Sequence, residues 1–264
     1  MARVAILLLA HILTSSASAS LSVFPTRAVI TDKLKVVNLT LRHVGDKPRG
    51  YKVSLEFYPM NTNGSLGDAK APTRADRAAI GLLRFSPKRT MLEPNIDQTV
   101  RVMKAGSKDL PDGDYRAHLL FKAQPSIDTA SEREVAQGDV SANVEPLVSV
   151  AIPVIYRKGN PTYDVKLANP KPTITGDKKA ALAIDISSGS KYFPYGELLV
   201  FFQPAAGGEE KQVGFIKGIS VYVPKITMTI PLISSPTPGG KLRVEFRESS
   251  EDNPMQFAKL ESKT

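Results

Sequence analysis

Two small β-sandwiches with almost no helix are what this 264-residue sequence predicts. Short runs of β-branched and aromatic residues alternate apolar with polar positions at period two. Turn residues (Gly, Pro, Asn, Asp) punctuate them at the spacing of a sandwich or barrel, and nowhere do strands alternate with helices as in an α/β fold. Once an N-terminal leader is set aside, the length suits two domains of about 100 to 120 residues each.

The leader comprises residues 1–19. Arg3, an apolar run from Val4 to Leu13 broken only by His11, and Ala17-Ser18-Ala19 have the order of a secretory signal peptide, with cleavage expected after Ala19. No later segment approaches the roughly 20 apolar residues needed to cross a bilayer, so the expected product is exported and soluble. There is no cysteine, which excludes disulfides, thiolate catalysis and thiolate zinc sites.

The first domain is expected over residues 20–158. Its clearer strands are Leu21–Phe24, Lys35–Leu41, Tyr51–Phe57, Gln98–Val102 and Tyr115–Phe121, separated by turn sequences such as Gly45-Asp46-Lys47-Pro48, Asn61-Thr62-Asn63-Gly64 and Asp109-Leu110-Pro111-Asp112-Gly113. Thr73–Leu83 is the helical candidate. Gln124–Asn143 is polar and poor in large apolar groups, and reads as a long loop. Lys158-Gly159-Asn160-Pro161 marks the boundary. The second domain, 159–264, is expected to hold strands at Tyr163–Leu167, Ala181–Ile186, Leu198–Phe202, Val213–Ile216, Ile226–Ile230 and Lys241–Phe246, followed by a charged, frayed tail after Glu248.

The chemistry-bearing residues are sparse. The formal charge is +9, but no Lys/Arg block has the form of a nucleic-acid arm, so the basicity points to solubility or an acidic partner and no nucleic acid is expected. His43 and His118 lack neighbours at ligand spacing. Asp112 and Asp114 flank Gly113 like a fragment of a calcium loop, without the downstream carboxylates, and read as a tight turn. No nucleophile elbow, P-loop or dinucleotide fingerprint is present. No enzyme activity, cofactor, metal or small-molecule substrate is expected. Asn38-Leu39-Thr40 and Asn63-Gly64-Ser65 match glycosylation sequons, relevant only in a eukaryotic secretory pathway.

The informative segment runs from Val144 to Arg157. Val144, Val148, Val150, Ile152 and Val154 share one parity, while Leu147, Ala151 and Ile155 share the other, so both faces are apolar. It is either a central strand buried on both sides, or an edge strand whose second apolar row serves another chain. Pro146 and Pro153 favour the edge, because proline cannot donate to a ladder.

Phe24-Pro25-Thr26-Arg27-Ala28-Val29-Ile30, then Phe85-Ser86-Pro87 with Leu92-Glu93-Pro94 and Gln98-Thr99-Val100-Arg101, then Leu110-Pro111-Asp112-Gly113-Asp114-Tyr115-Arg116, and finally Val154-Ile155-Tyr156-Arg157 occur in an order that resembles the periplasmic pilus chaperones of the chaperone-usher system. The resemblance covers residues 21 to about 158. It implies two immunoglobulin-like domains set as an L, a Gram-negative periplasmic location, fimbrial or pilus subunits and an outer-membrane usher as partners, and donor-strand complementation as mechanism. Val144, Val148, Val150 and Ile152 would then lend apolar side chains to an incomplete subunit, and Arg27 would anchor the subunit's terminal carboxylate. The lysine that shares this anchor in the family falls on Pro153, a departure. Asp114 would pair with Arg157 and orient one domain against the other. The rival class is an exported structural or adhesive sandwich that is itself an assembly subunit; it should show an incomplete fold or an N-terminal donor extension. A secreted hydrolase is a third class, and would need a catalytic constellation not found in the sequence.

Overall fold

The computed structural model describes residues 21–71, 74–105, 110–125, 147–249 and 253–264. The expected signal peptide, most of the expected loop 124–143 and Val144 lie outside the described residues.

The first sandwich is built from β1 (Leu21–Phe24), β2 (Ala28–Thr31), β3 (Val36–His43), β4 (Arg49–Glu56), α1 (Arg74–Leu82), β5 (Leu83–Ser86), β6 (Arg89–Leu92), β7 (Asp97–Lys104), β8 (Gly113–Ala123) and β9 (Val150–Lys158). One sheet has the order β1-β3-β7-β5 and the other β2-β9-β8-β4-β6. The chain crosses between them at Pro25–Arg27, so that β2 adds to β9 in parallel, Ala28 opposite Val154 and Thr31 opposite Arg157; the other pairings here are antiparallel. Alternation sorts the faces: Leu39, Leu41, Val100, Val102, Leu119 and Phe121 point inward and are fully buried, each such side chain contributing roughly 1.5 to 3 kcal/mol.

The second sandwich comprises β10 (Val165–Ile174), β11 (Ala180–Ser188), β12 (Tyr195–Gln203), β13 (Lys211–Ser220), β14 (Lys225–Pro231), β15 (Lys241–Glu248) and β16 (Gln256–Lys263). Sheets β10-β11-β14 and β13-β12-β15-β16 give the three-over-four count of an immunoglobulin-like sandwich. Its core, including Leu182, Ile184, Leu198, Val200, Val244 and Phe246, is separate from the first.

The expected frayed tail is overturned. β16 pairs with β15 from Lys241 opposite Lys263 to Arg247 opposite Gln256. It reads as polar because it is an edge strand: Phe257, Ala258 and Leu260 pack against the core while Lys259, Glu261 and Lys263 face water. The expected helix is present as α1, and it packs against β8 and β9. Strands β2, β5 and β6, four residues each, were not among the strands expected from the pattern.

Candidate functional site

The two ends of β9 sit in different surroundings. Val154–Arg157 lies between β2 and β8, and Val154 and Ile155, on opposite faces, are both fully buried. Val150–Pro153 pairs with β8 on one side, Val150 opposite Phe121 and Pro153 opposite His118. Among the described residues no strand covers its other side. About 13 Å of unpaired backbone, four residues long, is thus an open sheet edge, and Pro153 stands where that edge begins. The central-strand and edge-strand readings each apply to half of this one strand.

The apolar row runs off the end of the core. Val154 is fully buried, Ile152 is 3% exposed, Val150 is half-buried against the same core, and Val148 is 38% exposed. This corrects the expectation for Ile152 and Val150: neither faces outward, because their parity is that of Val154 and Tyr156, which close the first core. Val148 keeps the parity but lies beyond the sandwich, before β9 begins. Leu147, next to it, is also exposed.

Arg27 lies at the seam between the sandwiches. Its guanidinium Nη1 donates to Ser220 Oγ (3.1 Å) and Tyr222 Oη (2.9 Å) and stacks 4.6 Å from the Tyr195 ring centre. Among the described residues it has no carboxylate partner. The lysine that the sequence resemblance would pair with Arg27 falls on Pro153, which carries no charge. A cation from the neighbouring strand does reach the seam: Arg116 on β8 lies 4.0 Å from the Tyr222 ring centre, donates to the Tyr58 carbonyl (2.9 Å) and is 7% exposed. Tyr222 therefore carries a guanidinium over its ring and another on its hydroxyl. A cavity of about 320 Å³ opens here, lined among others by Phe57, Met60, Arg116, Phe193 and Tyr222.

Asp114 and Arg157 form a bidentate pair, Nε to Oδ1 at 2.8 Å and Nη2 to Oδ2 at 2.7 Å. Asp114 is fully buried and Arg157 largely so. Burial alone would lower the Arg157 pKa, but the hydrogen bonds and charge of Asp114 outweigh it and the net shift is upward. Asp114 Oδ2 also accepts from the backbone N–H of Phe193 in the second sandwich (2.8 Å), and Tyr192 Oη donates to the Lys158 carbonyl (2.9 Å). Gly113, at φ 150°, brings the turn against Lys191, whose carbonyl a Cβ would meet at 3.2 Å. The Asp112-Gly113-Asp114 motif is thus a tight turn whose second carboxylate belongs to an ion pair.

The segment after β4 also reaches across. Met60 packs against the second core and its Sδ accepts from Tyr222 N–H. Thr227 N–H on β14 donates to the Thr62 carbonyl (2.7 Å). Tyr58 packs edge-on to His118, ring centres 5.1 Å apart. His118 is fully buried, and Arg116, which has only donors, makes its Nε2 an acceptor at 3.3 Å. Among the described residues its Nδ1 has no partner. Desolvation first and the Arg116 charge second push its pKa down to about 3. Sequence reading missed Arg116, Met60 and Tyr222. The one available signal was the joint placement of Arg116 and His118 on the polar parity of β8.

The chain is similar to fimbrial chaperones of known structure. The YadV chaperone aligns at 12% identity and a TM-score of 0.47, over 93% of this chain and 100% of that one. The SafB chaperone in its complex with SafA pilin from Salmonella enterica gives 13% and 0.44, over 92% and 98%. The CsuC–CsuE chaperone–tip subunit complex from Acinetobacter baumannii gives 12% and 0.45, over 91% and 99%. No protein-family model matches, and no curated protein matches.

Proposed function

We propose that this protein is a non-enzymatic periplasmic chaperone that caps fimbrial or pilus subunits through the free end of β9 and passes them to an outer-membrane usher. The observation that carries the proposal is the coincidence of an edge at Val150–Pro153, unpaired among the described residues, with an apolar row continuing to exposed Val148. A subunit lacking a strand needs both backbone hydrogen-bonding groups and apolar side chains, and this end of β9 offers both. Val144 extends the same parity and is assigned to the same row. Arg27 is assigned to the subunit's terminal carboxylate, a charge-assisted contact made here without a lysine at Pro153. Residues 20–158 and 159–264 act as the two domains, with Asp114 and Arg157 fixing the angle between them; residues 1–19 are the export signal. The rival reading, an assembly subunit, is disfavoured by the two sandwiches, each closed over its own core.

Purification of the tagged protein from periplasm, with mass spectrometry of what co-elutes, tests this. The expected result is a one-to-one complex with subunits lacking a strand, in which amides within residues 147–152 gain protection from hydrogen exchange. Complexes that leave those amides unprotected, or a protein that polymerises with itself, would contradict the proposal.

A further inference from the structure

We propose that the outer face of sheet β2-β9-β8-β4-β6 carries a docking surface for an acidic polypeptide, centred on Lys52, Arg89 and Lys122. The proposal concerns a different face from the β9 edge and does not depend on the chaperone reading. Lys52 on β4 stands directly opposite Arg89 on β6 and directly opposite Lys122 on β8, so three exposed cations form one row across three strands. Directly opposed side chains have Cβ atoms about 5 Å apart, and like charges so placed repel. Among the described residues none of the three is paired with a carboxylate. The next acid along β4, Glu56, is about 13 Å from Lys52, and it accepts from Ser54 Oγ.

The adjoining row says what shape the partner presents. Gly50 lies between Met91 and Gln124, whose Cε and Cβ atoms stand 3.8 and 3.6 Å from where a Gly50 Cβ would be. The missing side chain leaves a shallow notch walled by Met91, itself 55% exposed. A row of cations beside an apolar notch on a solvent-facing sheet is complementary to carboxylates flanking an apolar side chain. That is the chemistry of an acidic protein surface, whereas a lipid headgroup layer presents no single apolar side chain to fit a notch.

The test uses the full-length exported protein and a fluorescent peptide of ten glutamates with a leucine at its centre, with anisotropy read at low ionic strength and at about 0.15 M salt, where screening extends about 8 Å. The triple variant Lys52→Glu, Arg89→Glu, Lys122→Glu should bind at least about tenfold more weakly, with its melting temperature unchanged. The matching triple Gln variant should fall between it and wild type, which keeps the test valid if the reversal disturbs folding. Reversal of Lys166, Lys171 and Lys211, all exposed on the second sandwich, should have little effect. Binding unaffected by the row, equal loss from the control triple, or row-dependent binding of anionic phospholipid vesicles without binding of the peptide would each overturn the proposal.

Discussion

The two halves of β9 are one continuous strand of nine residues with opposite relations to the rest of the molecule. From Val154 to Arg157, β2 and β8 take both edges, Val154 and Tyr156 close the first core, and Ile155 on the opposite face is fully buried as well. Before Val154, β2 is absent from the edge, and before Val150 the core ends too. Period-two patterning is the same along the whole run, so the difference does not lie in which residues are apolar. It lies in where the neighbouring strand and the sandwich stop. An apolar row that outlasts its own core is the feature on which the proposed binding strand rests.

The comparison breaks first at Ile152. Ile152→Asp places a carboxylate among Leu119, Val154 and their neighbours, and the expected cost is on the order of 5 kcal/mol, comparable with the whole stability of a small domain. Denaturant melts should show the first sandwich lost. Val150→Asp, half-buried against the same core, should fall between this and the exposed position. A fully folded Ile152→Asp variant would mean that the row does not face the core.

Asp114→Asn tests the buried end. Breaking a buried ion pair leaves an uncompensated charge and here should cost about 3 kcal/mol. A double-mutant cycle with Arg157→Ala should show strong coupling, since both carboxylate oxygens are engaged. The Arg42–Asp97 pair, at 2.6 Å but with both side chains about half exposed, should show almost none. Equal coupling at the two pairs would refute the distinction.

A smaller effect follows from His118, buried opposite Pro153. Its pKa falls from 6.5 to about 3 in the fold, so between these values the unfolded chain binds the extra proton. The stability contributed is full above pH 6.5 and is lost as pH falls, by up to about 1.4 kcal/mol per pH unit. Melts from pH 7 to 5 should show a decline that His118→Leu flattens; a decline unchanged by that substitution would place its origin elsewhere.

Much of this was legible in the sequence, and the failures are instructive. The alternating run Lys35–Leu41 became a strand with one face buried, and the continuous apolar run Leu198–Phe202 a strand buried on both, Leu198, Leu199 and Val200 all lying inside. Asp114 and Arg157 were placed as a pair by resemblance alone, since nothing in the spacing of residues 43 apart declares a contact. The shared parity of Val150 and Ile152 is that of the core-facing row, but parity cannot tell a core-facing residue from one that overhangs the core. Arg116 and Met60 owe their positions to the meeting of two sandwiches, a long-range event with no local signature.

Val148→Asp is the most direct measurement. Because Val148 lies beyond the core, the variant should melt within about 2 °C of wild type, a surface-substitution effect, yet no longer co-purify with subunits from periplasm. A variant that melts normally and still captures the same subunits would contradict the assignment of β9's free end as the binding strand, and one that unfolds would show that Val148 belongs to the protein's own core.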